Sequence, residues 1–365
     1  MDFGFSAREQ AFRRQVRERL RVGEIAAELS RLHADETSEP DERPLYTLLG
    51  EHNLLAVDWP ERYGGAGRSR TEAVIAAAEL FRAGVPDTLY VNGILTVGRL
   101  ILTAGSPDQR RRYLPGLARG RTFASILYTE PANGSDLAGL TTVALREPGG
   151  FRLRGVKAYN LKSGGNDFAL CAARTGDATS ERYAALTLFL VDLRADGVST
   201  RIDPGIADEQ FHVVELDDVF VPGDDVVGEA GDGWALLSSA LPFERTGMDF
   251  ALRAERWFGL GARHADEDDE RLARIGARVT AAELLAWSAS GASAEQSQDT
   301  MSSTAIAKWY CSETAADAAH WAHETGAGDP AVSSAYREAP GVTLAGGTSE
   351  MMLQLIAGGL HAAED

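Results

Sequence analysis

The spacing of apolar residues changes twice along this chain, and those two changes limit the layers it can build. From residue 6 to about 119 apolar positions recur at helical spacing. From about 121 to 227 they follow the two-residue period of strands. From Gly231 onward the helical spacing returns. A helix buries a stripe and a strand buries one face, so this order predicts an α+β protein with segregated layers. The implied domains are an N-terminal helical one over 1–120, a β-domain over 121–228 and a C-terminal helical one over 229–365. A chain of 365 residues with 44% hydrophobic content is long enough for two or three such cores.

Local signals refine this outline. Ser6 is a helix N-cap, and 71–83 and 107–117 are rich in helix formers, with Pro107 in a first turn. The segment 59–67 is a loop. Strands are predicted at 141–145, 151–154, 156–159, 183–191, 211–216 and 219–221, with Gly149-Gly150 joining two of them as a hairpin. Helices are predicted at 235–241, 244–258, 270–290 and 303–323.

A net charge of −18 argues against non-specific binding to nucleic acid or to an anionic membrane. No apolar run approaches a membrane span, and Met1 to Ser6 lacks the basic and apolar regions of a signal peptide. Cys171 and Cys311 sit in apolar or helical contexts and read as buried thiols of a cytoplasmic protein. The acidic run Asp266-Glu267-Asp268-Asp269-Glu270 precedes a helix and suits the positive end of its dipole. His320 and His323 lack a carboxylate ligand pattern, so no metal site is expected; no Ser-His-Asp or P-loop pattern is present.

The densest motif is Tyr128-Thr129-Glu130-Pro131-Ala132-Asn133-Gly134-Ser135-Asp136, directly after the apolar run from Phe123 to Leu127. It makes a turn with outward backbone N–H groups, suited to an anion or to the polar edge of a planar ring. Alone, it is also an ordinary surface turn. Further segments accompany it in order: Pro60-Glu61-Arg62-Tyr63-Gly64-Gly65, Gln109-Arg110-Arg111-Arg112-Tyr113-Leu114-Pro115, Gly155-Val156-Lys157, Val219-Phe220-Val221-Pro222, Gly231-Asp232-Gly233-Trp234 and Gly346-Gly347-Thr348-Ser349-Glu350. Together they resemble the acyl-CoA dehydrogenase family over nearly the whole chain.

The resemblance implies a helical domain, an antiparallel β-barrel or sandwich and a shortened C-terminal four-helix bundle. It implies FAD. Leu127, Tyr128 and Thr129 would meet the pyrimidine edge of the flavin, and Gly134 and Ser135 the pyrophosphate. Tyr159 falls where the family packs an aromatic against the isoalloxazine. Leu161 falls where a hydroxyl usually stands near N5, leaving only a backbone N–H to serve. Thr348 and Glu350 belong to the late loop that helps hold the cofactor. Arg256 stands in for an arginine that reaches a neighbouring subunit's FAD pyrophosphate, although its spacing is short. Glu324 replaces part of a motif that contacts adenine across a dimer.

Most family members carry a catalytic Glu immediately before the Gly-Thr of the late loop. Here that position is Gly346. A smaller group carries the base in a Leu-Pro-x-Glu-Arg stretch, matched here by Leu241-Pro242-Phe243-Glu244-Arg245. The resemblance therefore makes Glu244 the base and Arg245 its neighbouring cation, with a backbone N–H near Gly346 and a flavin hydroxyl polarising the substrate carbonyl. Local sequence alone reads Glu244 as a helix N-terminal residue after Pro242. The implied activity is FAD-dependent dehydrogenation of an acyl thioester on CoA or an acyl carrier protein. One subgroup with similar C-terminal truncation oxidises small hydroxylated acyl-carrier-protein thioesters toward methoxymalonyl polyketide extender units. Electron-transfer flavoprotein or oxygen would accept the electrons, and a homodimer or homotetramer is implied. Two further readings stay open: a flavin oxidase or monooxygenase on the same fold, and a flavin-free partner subunit that completes another chain's site.

Overall fold

A computed structural model of the chain describes residues 4–35, 39–176, 182–292 and 298–362. Seven helices come first: α1 (Ala7–Arg21), α2 (Gly23–Ala34), α3 (Arg43–Glu51), α4 (Arg70–Arg82), α5 (Thr88–Tyr90), α6 (Arg99–Ala104) and α7 (Pro107–Ala118). Ser6, Ser69 and Ser106 each close a capping box with the acidic or amide residue three positions on. Between α5 and α6 the backbone runs as a π-helix over Val91–Gly98. Such wide turns are uncommon and mark functional sites.

Eight strands follow: β1 (Ala124–Leu127), β2 (Val143–Glu147), β3 (Gly150–Leu161), β4 (Phe168–Arg174), β5 (Leu186–Asp192), β6 (Val198–Asp203), β7 (Phe211–Pro222) and β8 (Val226–Val227). They form one sheet in the order β6-β7-β3-β2-β4-β5-β8, with β1 beside β4. Alternate residues of β4 and β5 face opposite ways. Phe168, Leu170, Ala172, Leu188 and Leu190 join the core of the first helical layer. Ala169, Cys171, Phe189 and Val191 join Phe151, Leu153, Val214 and Leu216 in a core internal to the sheet.

Six helices complete the chain: α8 (Gly233–Glu244), α9 (Met248–Ala262), α10 (Glu270–Ala292), α11 (Gln298–Gly326), α12 (Pro330–Val342) and α13 (Ser349–Ala362). A shared core links α9, α10, α11 and α12 as a four-helix group, with Val74 and Ala78 of α4 docked against it. The side chains of α11 in this core are mostly alanine, which allows close approach. No helix among the described residues is long and apolar enough to cross a membrane.

Several expectations change in detail. The sheet is mixed rather than wholly antiparallel, because β1 runs parallel to β4. The predicted strands 151–154 and 156–159 are one strand, within which position 155 must be glycine because a Cβ there would lie 2.3 Å from Thr142 Oγ1. Likewise 211–216 and 219–221 are one strand. Strands β4 and β6 have no counterpart in the sequence reading. All but the last residue of β4 is buried, which removes the alternation that marks a half-buried strand, and β6 is an exposed, polar edge. The helix break expected before Glu244 lies after it, at Arg245 to Gly247, so Glu244 ends α8 with Pro242 inside the helix.

Candidate active site

Glu244 stands where four parts of the chain meet. Thr96, on the π-helical segment, donates its hydroxyl to Glu244 Oε2 at 3.5 Å. Arg245 donates Nε to the Gly346 carbonyl at 2.9 Å, tying the end of α8 to the late loop. Gly247 has φ +77°, and a Cβ there would lie 3.0 Å from the Ala307 backbone, so only glycine lets this turn pack onto α11. The next residue on α11, Lys308, is fully buried, sits beneath the same loop and donates to the Val342 and Thr343 carbonyls at 3.4 and 3.5 Å.

The late loop brings the two alternative base positions together. Gly346 has φ +67°, and a Cβ built on it would stand 3.7 Å from Glu244 Oε1. A side chain from either position therefore addresses the same space. Gly347 has φ +105°, and Thr348 then caps α13, its hydroxyl accepting from Met351 N at 3.3 Å. Glu350 is exposed in the first turn; its own N–H and the Thr348 hydroxyl hold its carboxyl below the usual range.

Burial raises the Glu244 pKa, and Arg245, Thr96 and Lys308 oppose that rise without cancelling it. Its place at a helix C-terminus, where the dipole is negative, adds in the same direction. Burial pushes Lys308 down to about 8 against the attraction of Asp249. A half-buried carboxylate with a raised pKa, backed by a weak cation, is suited to taking a proton from carbon.

The Tyr128 to Asp136 turn is organised by an ion pair that sequence reasoning missed. Lys157 Nζ meets Glu130 Oε1 at 3.0 Å and the Tyr128 carbonyl at 3.3 Å, both side chains being essentially inaccessible. Glu130 also accepts from Thr141 N, Thr141 Oγ1 and Thr142 N at 2.6–2.8 Å. Burial pushes its carboxyl up, but Lys157 and these donors outweigh burial and bring it down to about 2. The available signal was the pairing of Glu130 with the lone lysine of an otherwise apolar strand face. Thr96 and Lys308 were also missed; no local motif marks either.

Next to Lys157 the β3–β7 ladder bulges. Lys157 pairs with Val214 but Asn160 with His212, leaving one extra residue on β3. The bulge sets Tyr159 at φ +58° and leaves it 54% exposed, edge-on to Phe211 at 6.1 Å. Leu161, half-buried, offers no hydroxyl; its carbonyl accepts from Ser125 Oγ at 3.5 Å. Leu127 is buried in the sheet core; among the described residues β1 forms a ladder with β4 alone, and past its end the Thr129 carbonyl accepts from Ala158 N of β3 at 3.0 Å. Tyr128 is buried close enough to Glu244 for that carboxylate to raise its pKa further after burial, and its hydroxyl has no partner among the described residues. Gly134 and Ser135 are exposed; Gly134 has neither a positive φ nor a neighbour that a Cβ would meet.

The remaining candidates lie on other helices than Glu244. Arg256 is exposed on α9. Glu324 pairs with Arg271. His323 stacks on Tyr336 at 4.2 Å with His320 edge-on at 5.6 Å, a role in aromatic packing. Asp269 accepts from Trp321 Nε1 at 3.0 Å and from Arg271, so the acidic run anchors the start of α10.

Two helical layers around a mixed sheet, converging on a half-buried carboxylate beneath a Gly-Gly loop, are the frame of a flavin-dependent dehydrogenase. The chain belongs to the acyl-CoA dehydrogenase family: its N-terminal, middle and C-terminal domain models match residues 6–121, 125–219 and 231–361. The chain is 29% identical to acyl-CoA dehydrogenase FadE29 of Mycobacterium tuberculosis over 344 residues, 87% of each chain. It is 36% identical to acyl-CoA dehydrogenase FadE34 of the same organism over 239 residues, 64% of this chain, and spans 33% of that protein's length. It superposes on the Tcur3481-Tcur3483 steroid ACAD with a TM-score of 0.86 at 26% identity, covering 100% of this chain and 99% of that one. It is thus a flavin-dependent oxidoreductase of CH–CH donors, acting on acyl thioesters with FAD as cofactor. Three features fit that cofactor: the unpartnered Tyr128 hydroxyl, the Tyr159 ring raised by the bulge, and the open flank of Gly134.

Proposed function

We propose that this chain oxidises an acyl thioester with Glu244 as the base that removes the α-proton. The observation that carries this reading is the 3.7 Å separation between Glu244 Oε1 and a Cβ on Gly346. Glu244 reaches the space that a base on the late loop would occupy. When bound, FAD supplies the acceptor for the β-hydride. Leu127 to Thr129 would hold its pyrimidine edge, Tyr159 and the Leu161 backbone the ring, Gly134 and Ser135 its pyrophosphate, and Thr348 and Glu350 the late-loop side. Arg256 would serve a neighbouring subunit's pyrophosphate. Backbone N–H groups near Gly346 would polarise the thioester carbonyl, so that negative charge develops against fixed donors. Arg245 fixes the loop carrying those donors through its bond to the Gly346 carbonyl.

Moving the base tests this geometry. Glu244→Gly is expected to abolish substrate-dependent flavin bleaching, and adding Gly346→Glu to restore part of it. Restoration stays incomplete because a non-glycine residue at φ +67° costs about 1–2 kcal/mol. A double variant as inactive as the single one, with FAD bound, contradicts the reading.

The pH profile provides a second test. Glu244 must be ionised to accept the proton, so kcat/KM is expected to rise through a pKa above the ordinary carboxylate range. Charged Lys308 favours that ionisation, so Lys308→Met moves the acid limb to higher pH. An unmoved limb in a folded, FAD-loaded variant excludes Lys308 from tuning the base.

The carrier is CoA or an acyl carrier protein, and a small hydroxylated acyl-carrier-protein thioester of extender-unit supply is within this reading. Parallel bleaching with both carriers separates them. Reoxidation by electron-transfer flavoprotein or by oxygen separates a dehydrogenase from an oxidase. A second reading, a partner subunit completing another chain's flavin site, is favoured by the Glu324–Arg271 pair where the resemblance expects an adenine contact. One FAD per chain in the purified protein excludes it.

A further inference from the structure

A groove between the first helical layer and the sheet gathers acidic groups to which the reaction assigns no role. It is lined by Glu42, just before α3, and by His212, on β7, each only 5% exposed. Lys162, directly after β3, lines it too. Its Nζ meets Glu42 Oε1 at 2.8 Å, Glu209 Oε1 at 3.5 Å and Glu39 Oε1 at 3.8 Å. Burial works against the lysine's charge, but Glu42 and Glu209 outweigh burial and raise the Lys162 pKa. One cation therefore faces three carboxylates. Arg43, on the same groove, does not make up the difference, because it pairs with Asp41 at 2.9 Å. Arg253, which also acts on Glu209, is taken by Asp87 at 2.6 Å and Glu338 at 3.4 Å.

Two buried acceptors in this groove are left over. Glu42 gives one oxygen to Lys162, while its Oε2 has no hydrogen-bond partner among the described residues, and neither has His212 Nδ1. A Cβ on Gly164 would lie 2.8 Å from His212 Nε2, so the loop after Lys162 covers that edge of the ring. With its proton on Nε2 the ring offers Nδ1 as an acceptor. A buried acceptor without a donor is unfavourable. The groove has a volume of about 400 Å³, room for a small organic molecule. None of the residues expected to hold FAD, and none of those around Glu244, lines it. No set of three or more His, Cys, Asp or Glu among the described residues is placed to hold a metal ion, which leaves an organic cation.

We infer that the groove binds the primary ammonium group of a small amine. Such a group carries three N–H donors, no acceptor and one positive charge. It would donate to Glu42 Oε2 and His212 Nδ1, with Glu39 at the rim, and supply the charge that the carboxylates lack. Glu39 and Glu42 belong to the helical layer and His212 to the sheet, so the ligand ties the two together and raises the thermal midpoint. Proton release accompanies binding. Burial pushes Glu209 up to about 7 against the pull of Lys162, and raises Glu42 as well. A cation set among them favours their ionised forms, so binding expels protons and tightens as pH rises through about 7. The site does not depend on the identity of the base.

Calorimetry on the FAD-loaded protein tests the site with n-butylammonium chloride and, at equal ionic strength, with tetramethylammonium chloride, which has the charge without the N–H donors. The butylammonium ion is expected to bind saturably and about tenfold tighter than tetramethylammonium, or more, since a hydrogen bond to a charged group is worth that much. Titrations in buffers of different ionisation heat read the released protons. Glu42→Gln is expected to lower the affinity at least tenfold, and Glu39→Gln to lower it less. If Glu42→Gln does not fold, a lowered affinity in Glu39→Gln stands in its place. Uptake without saturation, equal affinity for the two ions, binding without proton release, or an affinity unmoved in the folded variants overturns the site.

Discussion

Glu244→Gln slows substrate-dependent bleaching of the bound flavin by about 10²- to 10⁴-fold, the usual contribution of a positioned general base. The amide keeps the size of the carboxyl and the contact with Thr96, so FAD content and thermal midpoint stay close to wild type. The effect is large because the late loop offers Gly346 in place of a carboxylate, and among the described residues the groups that act on the Glu244 carboxyl are Arg245, Thr96 and Lys308, none of which is a carboxylate. Glu244→Asp, one methylene shorter, is expected to keep part of the rate. Stopped-flow absorbance checks both. A Gln variant that bleaches at the wild-type rate removes Glu244 from the chemistry.

Lys157→Met costs about 3–5 kcal/mol of stability, the penalty for leaving one member of a buried ion pair without its partner. Glu130 remains enclosed with its carboxyl ionised, because Thr141 and Thr142 still donate to it. The Tyr128 carbonyl also loses a donor, at the turn expected to meet the flavin. Weakened FAD retention and a lower thermal midpoint are therefore expected together. The double variant Glu130→Gln/Lys157→Met recovers much of the loss, since both charges are then gone. Calorimetry and the ratio of flavin to protein absorbance read the two effects. The sign with pH follows from the depressed Glu130 pKa. Its contribution is complete above the ordinary carboxylate range and is lost as pH falls toward about 2. A single variant as stable as wild type contradicts this account of the turn.

The layer order was legible because the hydrophobic period changes where the chain enters and leaves the sheet. The N-cap at Ser6 was legible for a similar local reason, because its partner groups lie within the next helical turn. Strand β4 was not, because alternation disappears when both faces are buried. Glu244 was singled out through resemblance, while its local reading as a helix N-terminal residue is corrected by its place at the end of α8. Proline was taken to open a helix, whereas Pro242 lies inside the end of α8. Thr96 and Lys308 carry no local mark in the sequence, for a shared reason. Each acts through a contact with a residue far along the chain, such as Thr96 with Glu244, 148 positions away. The bulge that lifts Tyr159 is likewise a property of the β3–β7 register, which neither strand specifies alone.

The most direct measurement of the central claim is exchange of the substrate α-proton. A CoA thioester with sulfur in place of the β-methylene can lose an α-proton but cannot lose a β-hydride, so proton abstraction is seen apart from oxidation. Incubated in D2O with the FAD-loaded protein and followed by mass spectrometry, it is predicted to take up deuterium at the α-carbon with wild type and not with Glu244→Gln. Uptake at the wild-type rate in the Gln variant would show that another group removes the proton and would contradict the assignment of Glu244.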